Sequence, residues 1–353
     1  MERIIRVGLA GFGFSGRIFQ APFLTADPHY QLVRVYERTH ERAKEEYPGV
    51  EVVHDFRALL AEDIDLVVLS LPNQEHAVRA REALLAGKHV ITEKPAAASA
   101  EEVRALGKLA EEKGRIYSIY QNRRLDGDFL TVKKLLADGS LGELVDYSAH
   151  YDRYVTGQSP KDWKREEVPG VGLLYDIGVH LVDQIVSLFG APKAVFADLR
   201  KQRQESTGSD RLTIFMYYDG FRAEATAGEV CADHDLHYAV YGRKGTFVKY
   251  GMDVQEAALI RGERPAGRAD WGLDREADYG TLTTYEDGTF TRRRIPTERG
   301  NYGAYYENIY KVITEGAAPL VSLAEAETVL SVLEAAEKSS RLGARVALTG
   351  GKE

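Results

Sequence analysis

The chain has 353 residues, 44% of them hydrophobic and 28% charged, with a formal net charge of −8. That length suits two domains, each able to bury a core without covalent staples, and the acidic balance argues against a broad nucleic-acid or anionic-membrane surface. One cysteine, Cys231, excludes an intrachain disulfide and a cysteine-based metal cluster. No apolar run approaches membrane-spanning length and the first residues lead straight into a strand-like pattern, so a cytoplasmic location is expected.

Ile4 to Ala10 reads as a buried strand, and Gly11-Phe12-Gly13-Phe14-Ser15-Gly16 follows it, ahead of an amphipathic stretch carrying Ile18, Phe19, Phe23 and Leu24. Strand, glycine turn and helix together form the context in which such glycines cradle a pyrophosphate at a helix N-terminus. A second strand, Gln31 to Tyr36, ends in Glu37-Arg38-Thr39, at about the distance where Rossmann folds select their cofactor. Glu37 suits the ribose hydroxyls of NAD; Arg38 and Thr39 suit the 2′-phosphate of NADP. Because a carboxylate repels a phosphate, NAD is the favoured expectation and NADP the alternative.

Strands at Glu51 to Val53, Asp65 to Leu71, Val90 to Glu93 and Arg115 to Tyr120 alternate with helices at Asp55 to Ala61, Glu75 to Ala86 and Ala98 to Lys113. Such alternation predicts an α/β Rossmann domain, a doubly wound parallel sheet, over residues 1–121. Val90-Ile91-Thr92-Glu93-Lys94-Pro95 should deliver Glu93 and Lys94 to the carboxyl edge of that sheet, where open α/β folds bind ligands.

From residue 122 the pattern changes. A polar stretch, Gln121 to Asp128, precedes one helix, and strand-like runs follow at Leu144 to Tyr151, Lys193 to Leu199, Leu212 to Tyr218, Phe221 to Gly228, Leu236 to Tyr241 and Thr246 to Tyr250. Residues 122–353 are therefore expected to form an α+β domain with a large, mostly antiparallel open sheet. Between the first two runs, Asp176 and His180 are spaced to share one face of a helix. His150, Asp152, Asp176 and His180 lack a diagnostic metal-ligand spacing, and no metal is expected. Ser322 to Leu342 has the spacing of an amphipathic helix.

The glycine turn, the Glu93-Lys94-Pro95 tripeptide and the Asp176-Ile177-Gly178-Val179-His180 element together resemble the Gfo/Idh/MocA family of nicotinamide-dependent oxidoreductases over nearly the whole chain. Further stretches, Gln121 to Asp126, Val248 to Asp253, Trp271-Gly272 and Gly300 to Tyr306, are similar to its scyllo-inositol dehydrogenase subgroup, from which Leu125 and Glu37 depart. The resemblance implies that Lys94 lies at the hydride-transfer site, with His180 as acid/base partner and Asp176 orienting the ring or a substrate hydroxyl. It places Leu71, Pro72, Asn73 and His76 in a loop over the nicotinamide ribose, and Gly11 to Gly16, Glu37, Arg38, Thr39, Glu93 and Lys94 around the cofactor. It also implies a substrate pocket drawing on Lys94, Asn122, Arg123, Arg153, Tyr154, Trp163, Asp176 and His180, and a homodimer or homotetramer formed through the C-terminal sheet. The expected reaction is NAD(P)-dependent oxidation of a polyol or sugar hydroxyl, or its reverse. A dinucleotide-binding metabolite sensor and a reductase of another carbonyl are the alternatives.

Overall fold

A computed structural model describes residues 3–155, 172–203 and 208–348. Two compact units emerge. The first takes residues 1–122 together with 255–271 and 301–327, and the second takes 123–254, 272–300 and 328–353.

In the first unit, β1 (Ile5–Ala10), β2 (Tyr30–Tyr36), β3 (Glu51–Val53), β4 (Leu66–Leu69), β5 (His89–Glu93) and β6 (Tyr117–Tyr120) form one sheet in the order β3-β2-β1-β4-β5-β6. Every pairing is parallel. The doubly wound sheet expected from the alternating pattern is present. β4, β5 and β6 are buried at every position, as a sheet covered on both faces requires. The strand order reverses between β1 and β4, and there the Ser70 N–H donates to the Ala10 carbonyl at 2.8 Å. α1 (Ala21–Ala26), α2 (Arg42–Glu46), α3 (Asn73–Leu85) and α4 (Ala100–Glu112), with a 3-10 turn at Phe56–Leu60 between β3 and β4, supply the crossovers. Ser99 caps α4 by accepting the Glu102 N–H, while Glu102 reaches back to the Ala98 N–H.

The first unit is not one continuous segment. Tyr305 and Tyr306, on the helix Gly303–Glu315, are buried against it. The Tyr305 ring meets Tyr120 edge-on at 4.8 Å and its hydroxyl lies 2.7 Å from Ser118 Oγ. A boundary drawn at residue 121 marks only where the chain first leaves this unit. Those aromatic residues are what bring it back.

The second unit is built on a sheet of nine strands: β7 (Leu144–Asp152), β8 (Ala194–Arg200), β9 (Arg211–Tyr217), β10 (Arg222–Gly228), β11 (Leu236–Gly242), β12 (Gly245–Tyr250), β13 (Gly280–Glu286), β14 (Thr289–Ile295) and β15 (Val346–Ala347). Their order is β14-β13-β12-β11-β7-β10-β9-β8-β15, and only the central β7–β10 pair is parallel. Alternation along β9 buries Leu212, Ile214 and Met216 on one face and leaves Thr213, Phe215 and Tyr217 half-buried on the other. The helix Leu323–Leu342 opens on a reciprocal cap between Ser322 and Glu325. Near its end, Ser339 and Ser340 accept backbone N–H groups of β8.

Candidate active site

The three motif glycines have three different surroundings. Gly11 has φ +97° and lies so close to the Ser70 carbonyl that a side chain there would strike it. A Cβ at Gly16 would meet the Gly11 carbonyl, so the helix can pack on the turn only without one. At Gly13 nothing lies within 4 Å of a built Cβ. The turn is thus closed from behind by Gly11 and Gly16 and open at Gly13, where a diphosphate can approach the backbone. Helical chain then spans 14–26, with Gly16–Gln20 forming a wide π turn. Phe12 is buried edge-on to Tyr47, and Phe14 is half-exposed against Phe19.

At the carboxyl end of β5, Glu93 is buried while Lys94 is half-buried, and the Lys94–Pro95 peptide is cis. The Glu93 carboxylate binds the glycine turn. Its Oε1 accepts from Ser15 Oγ and, at 2.5 Å, from Gln20 Nε2, and its Oε2 accepts the Lys94 N–H at 3.3 Å. Gln20 in turn accepts the Tyr306 hydroxyl. Burial pushes the Glu93 carboxyl up, and Ser15, the Lys94 ammonium and Gln20 pull it back. Neither Gln20 nor Tyr306 stands out in sequence, where one looks like a polar helix residue and the other like a core aromatic.

His76 lies against the Leu71-Pro72 loop that the resemblance sets over the nicotinamide ribose. Its ring is fully buried, with Nδ1 2.7 Å from the Pro95 carbonyl and Nε2 2.9 Å from the Leu71 carbonyl. Both nitrogens are therefore spent on backbone, and the imidazole joins the Leu71-Pro72 loop to the turn after Lys94. Burial lowers its pKa, although the two carbonyls favour its protonated form. Asn73 begins α3 beside it, half-buried.

At the end of β2 the side chains divide. Glu37 turns inward: its Oε1 accepts the Ala43 N–H at 2.8 Å and its carbonyl meets His54 Nδ1 at 2.7 Å. Arg38 and Thr39 remain exposed. One oxygen of the carboxylate expected to face the ribose is thus engaged by its own loop.

In the second unit, Asp176 lies within a π-wide turn, Leu174–Gly178, that leads directly into the helix Val179–Phe189 bearing His180. Positions four apart on such a run share a face. The helix is pinned from several sides. Asp183 accepts Arg124 in a bidentate pair at 2.7 and 2.8 Å, Gln184 Nε2 donates to the Arg123 carbonyl at 2.8 Å, and the Tyr238 hydroxyl donates to Gln184 Oε1 at 2.8 Å. These partners fix the helix against the short turn Asn122–Leu125.

Arg123, expected in the substrate pocket, is a buried strut. It donates to the Tyr151 hydroxyl at 2.8 Å and to Asp126 at 3.3 Å, with its guanidinium 4.8 Å from the Tyr151 ring centre. Arg153 stacks on the same ring at 5.3 Å. Tyr154 is exposed and bridges Val230 through its backbone, and Asn122 is buried. Trp163 lies outside the described residues. His150 and Asp152 are 3.7 Å apart on β7. Among the described residues, no group of three or more His, Cys, Asp or Glu side chains is placed to hold a metal ion, and no helix is long and apolar enough to cross a membrane.

A dinucleotide cradle at the switch point of a parallel sheet, joined to a separate open-sheet unit, defines an oxidoreductase built on an NAD-binding Rossmann domain. Residues 5–121 match the oxidoreductase family's NAD-binding Rossmann fold and residues 133–348 match its C-terminal alpha/beta domain. The chain belongs to the Gfo/Idh/MocA oxidoreductase family. It is 37% identical over 338 residues to the scyllo-inositol 2-dehydrogenase (NADP(+)) IolW of Bacillus subtilis, covering 96% of this chain and 94% of that protein. It is 35% identical to the oxidoreductase YdgJ of Escherichia coli over 99% of this chain and all of that one. The solved structure of the Bacillus subtilis oxidoreductase yvaA superposes with a TM-score of 0.95, at 36% identity over 99% of both chains.

Proposed function

We propose that this protein is an NAD(P)-dependent dehydrogenase that interconverts a secondary alcohol and a ketone on a polyol or sugar. The observation that carries the reading is the Glu93 linkage, which ties the open glycine cradle to the residue beside Lys94. The bound nicotinamide supplies the two-electron chemistry. Everything else falls to the chain. The Gly11 to Gly16 turn, open at Gly13, receives the diphosphate at the start of the helical chain, and His76 sets the Leu71-Pro72 loop from behind. Lys94 holds the reacting hydroxyl and stabilises negative charge as it develops on that oxygen. His180 takes the proton during oxidation and returns it during reduction, a task suited to an imidazole near neutral pH. Asp176 orients that ring or a neighbouring substrate hydroxyl.

Cofactor choice follows from the side chains at the end of β2. With Glu37 turned inward, the repulsion that favoured NAD is weakened, and the exposed Arg38 and Thr39 suit a 2′-phosphate. NADP is the proposed cofactor, in keeping with the name of the Bacillus subtilis relative. The half-buried aromatics Phe215 and Tyr217 on the outward face of the second sheet support self-association there as a homodimer or homotetramer.

Purified protein incubated with NADP or NAD and a panel of inositols, hexoses and sugar acids tests the reading through the absorbance of reduced nicotinamide. Turnover of a polyol or sugar is the expected result. Tight cofactor binding with no turnover across the panel would replace it with the metabolite-sensor reading.

A further inference from the structure

Three donors converge on one buried carboxylate at the edge of β5. Ser15 Oγ and Gln20 Nε2 reach Glu93 Oε1, and the Lys94 N–H reaches Oε2. Their direction is set from behind. The Tyr306 hydroxyl donates to Gln20 Oε1 and so fixes the amide with its NH2 pointing at Glu93. Tyr306 is itself fully buried and held among Tyr30, Tyr120 and Tyr305, so the phenol has little freedom to turn away. Two of the three, the Gln20 NH2 and the Lys94 N–H, can only donate, so a protonated Glu93 oxygen would forfeit a hydrogen bond to them. Hydrogen bonds made to the charged form are what keep a buried carboxyl ionised.

We infer that Tyr306 and Gln20 are positioning residues that hold Glu93 as a fixed anion beside Lys94, and that this anion favours the oxidised, cationic nicotinamide over the reduced, neutral one. The inference rests on the dehydrogenase reading above and adds a direction to it: a site that holds the oxidised cofactor more tightly makes the bound cofactor a weaker oxidant. Tyr306 and Gln20 come from segments far apart in sequence, yet both act on the charge next to the proposed reacting centre. Neither needs to touch cofactor or substrate.

The test is a pair of equilibrium titrations, NADP+ and NADPH, on the intact wild-type protein and on Glu93→Gln, Tyr306→Phe and Gln20→Met. Glu93→Gln is expected to weaken NADP+ about 10-fold more than NADPH, the scale of one partly screened charge. Tyr306→Phe and Gln20→Met should shift the same ratio in the same direction by about 3-fold, the scale of one hydrogen bond. Parallel weakening of both forms, or no change in their ratio, would overturn the inference by reducing these residues to scaffolding. Tyr306→Phe is first checked by thermal unfolding; if it does not fold, Gln20→Met, which leaves the phenol in place, decides. A wild-type protein that binds neither form overturns the cofactor reading itself, and this inference with it.

Discussion

The Glu37 carboxylate accepts the backbone N–H of Ala43 at 2.8 Å, so the acid at the end of β2 closes its own loop and leaves Arg38 and Thr39 facing out. Arg38→Ala is therefore expected to raise KM for NADP about 10-fold or more, the loss of a charge-assisted phosphate contact, while changing KM for NAD by less than about 3-fold. Glu37→Gln should leave the preference between the two where it was. Steady-state kinetics with both cofactors decide the matter. A wild type that prefers NAD, or an Arg38→Ala variant that loses both cofactors alike, would return the choice to Glu37.

Lys94 and His76 stand on either side of the same turn, and their substitutions should fail in different ways. Lys94→Ala removes a half-buried amine and is expected to cut turnover at least ~100-fold while leaving cofactor affinity and melting temperature near wild type. His76→Ala leaves a buried backbone carbonyl, that of Pro95 or of Leu71, without its imidazole donor, at about 1 kcal/mol or more, and should lower the melting temperature. Turnover close to normal in Lys94→Ala would remove it from the chemistry.

A second pair of buried groups sets a pH expectation. Asp128 Oδ2 and His237 Nε2 face each other at 3.5 Å inside the second unit, with His237 Nδ1 on the His150 carbonyl at 2.6 Å. Burial, with Asp253 adding to it, raises the Asp128 carboxyl well above its ordinary 3.8, against the pull of Lys249; Asp274 also adds to the rise. Burial also drives His237 from 6.5 down to about 3, and Arg123, Lys249 and His150 press the same way. The raised carboxyl loses stability as pH rises past 3.8, and the depressed imidazole gains it up to 6.5. Between those limits the two slopes oppose each other. Asp128→Asn leaves only the imidazole slope, so the stability of the variant relative to wild type should climb from pH 4 to pH 6.5. Urea unfolding at three pH values across that window measures it, and a difference that stays constant would show that the Asp128 carboxyl is not raised.

Legibility in the sequence follows periodicity and small, distinctive residues. The all-apolar β4, the Val90-Ile91 heart of β5, the glycines of the cradle and the polar edge at Glu93-Lys94 announce themselves because burial on both faces and absent side chains leave a compositional mark. β14 leaves none. Its side chains are exposed almost throughout, and the signal present was the turn, Asp287-Gly288, where both residues have positive φ as a tight hairpin demands. Orientation was equally invisible: nothing in Glu37-Arg38-Thr39 says that the first side chain folds in. The same holds for His76, whose place in the loop does not reveal that both ring nitrogens face backbone carbonyls.

The return of Tyr305 and Tyr306 to β6 and Gln20 has a consequence for biosynthesis. When residues 1–122 have left the ribosome, Ser118 Oγ, one face of Tyr120 and the Gln20 amide still await partners encoded some 180 positions later. The dinucleotide-binding unit therefore cannot complete its core during translation of its own segment; it must remain unfinished until nearly the whole message has been read. A fragment ending at residue 122 should accordingly be soluble only with help from chaperones, and adding a peptide spanning 301–327 in trans should raise its melting temperature. A fragment as stable alone as with the peptide would show that those tyrosines are dispensable to the core.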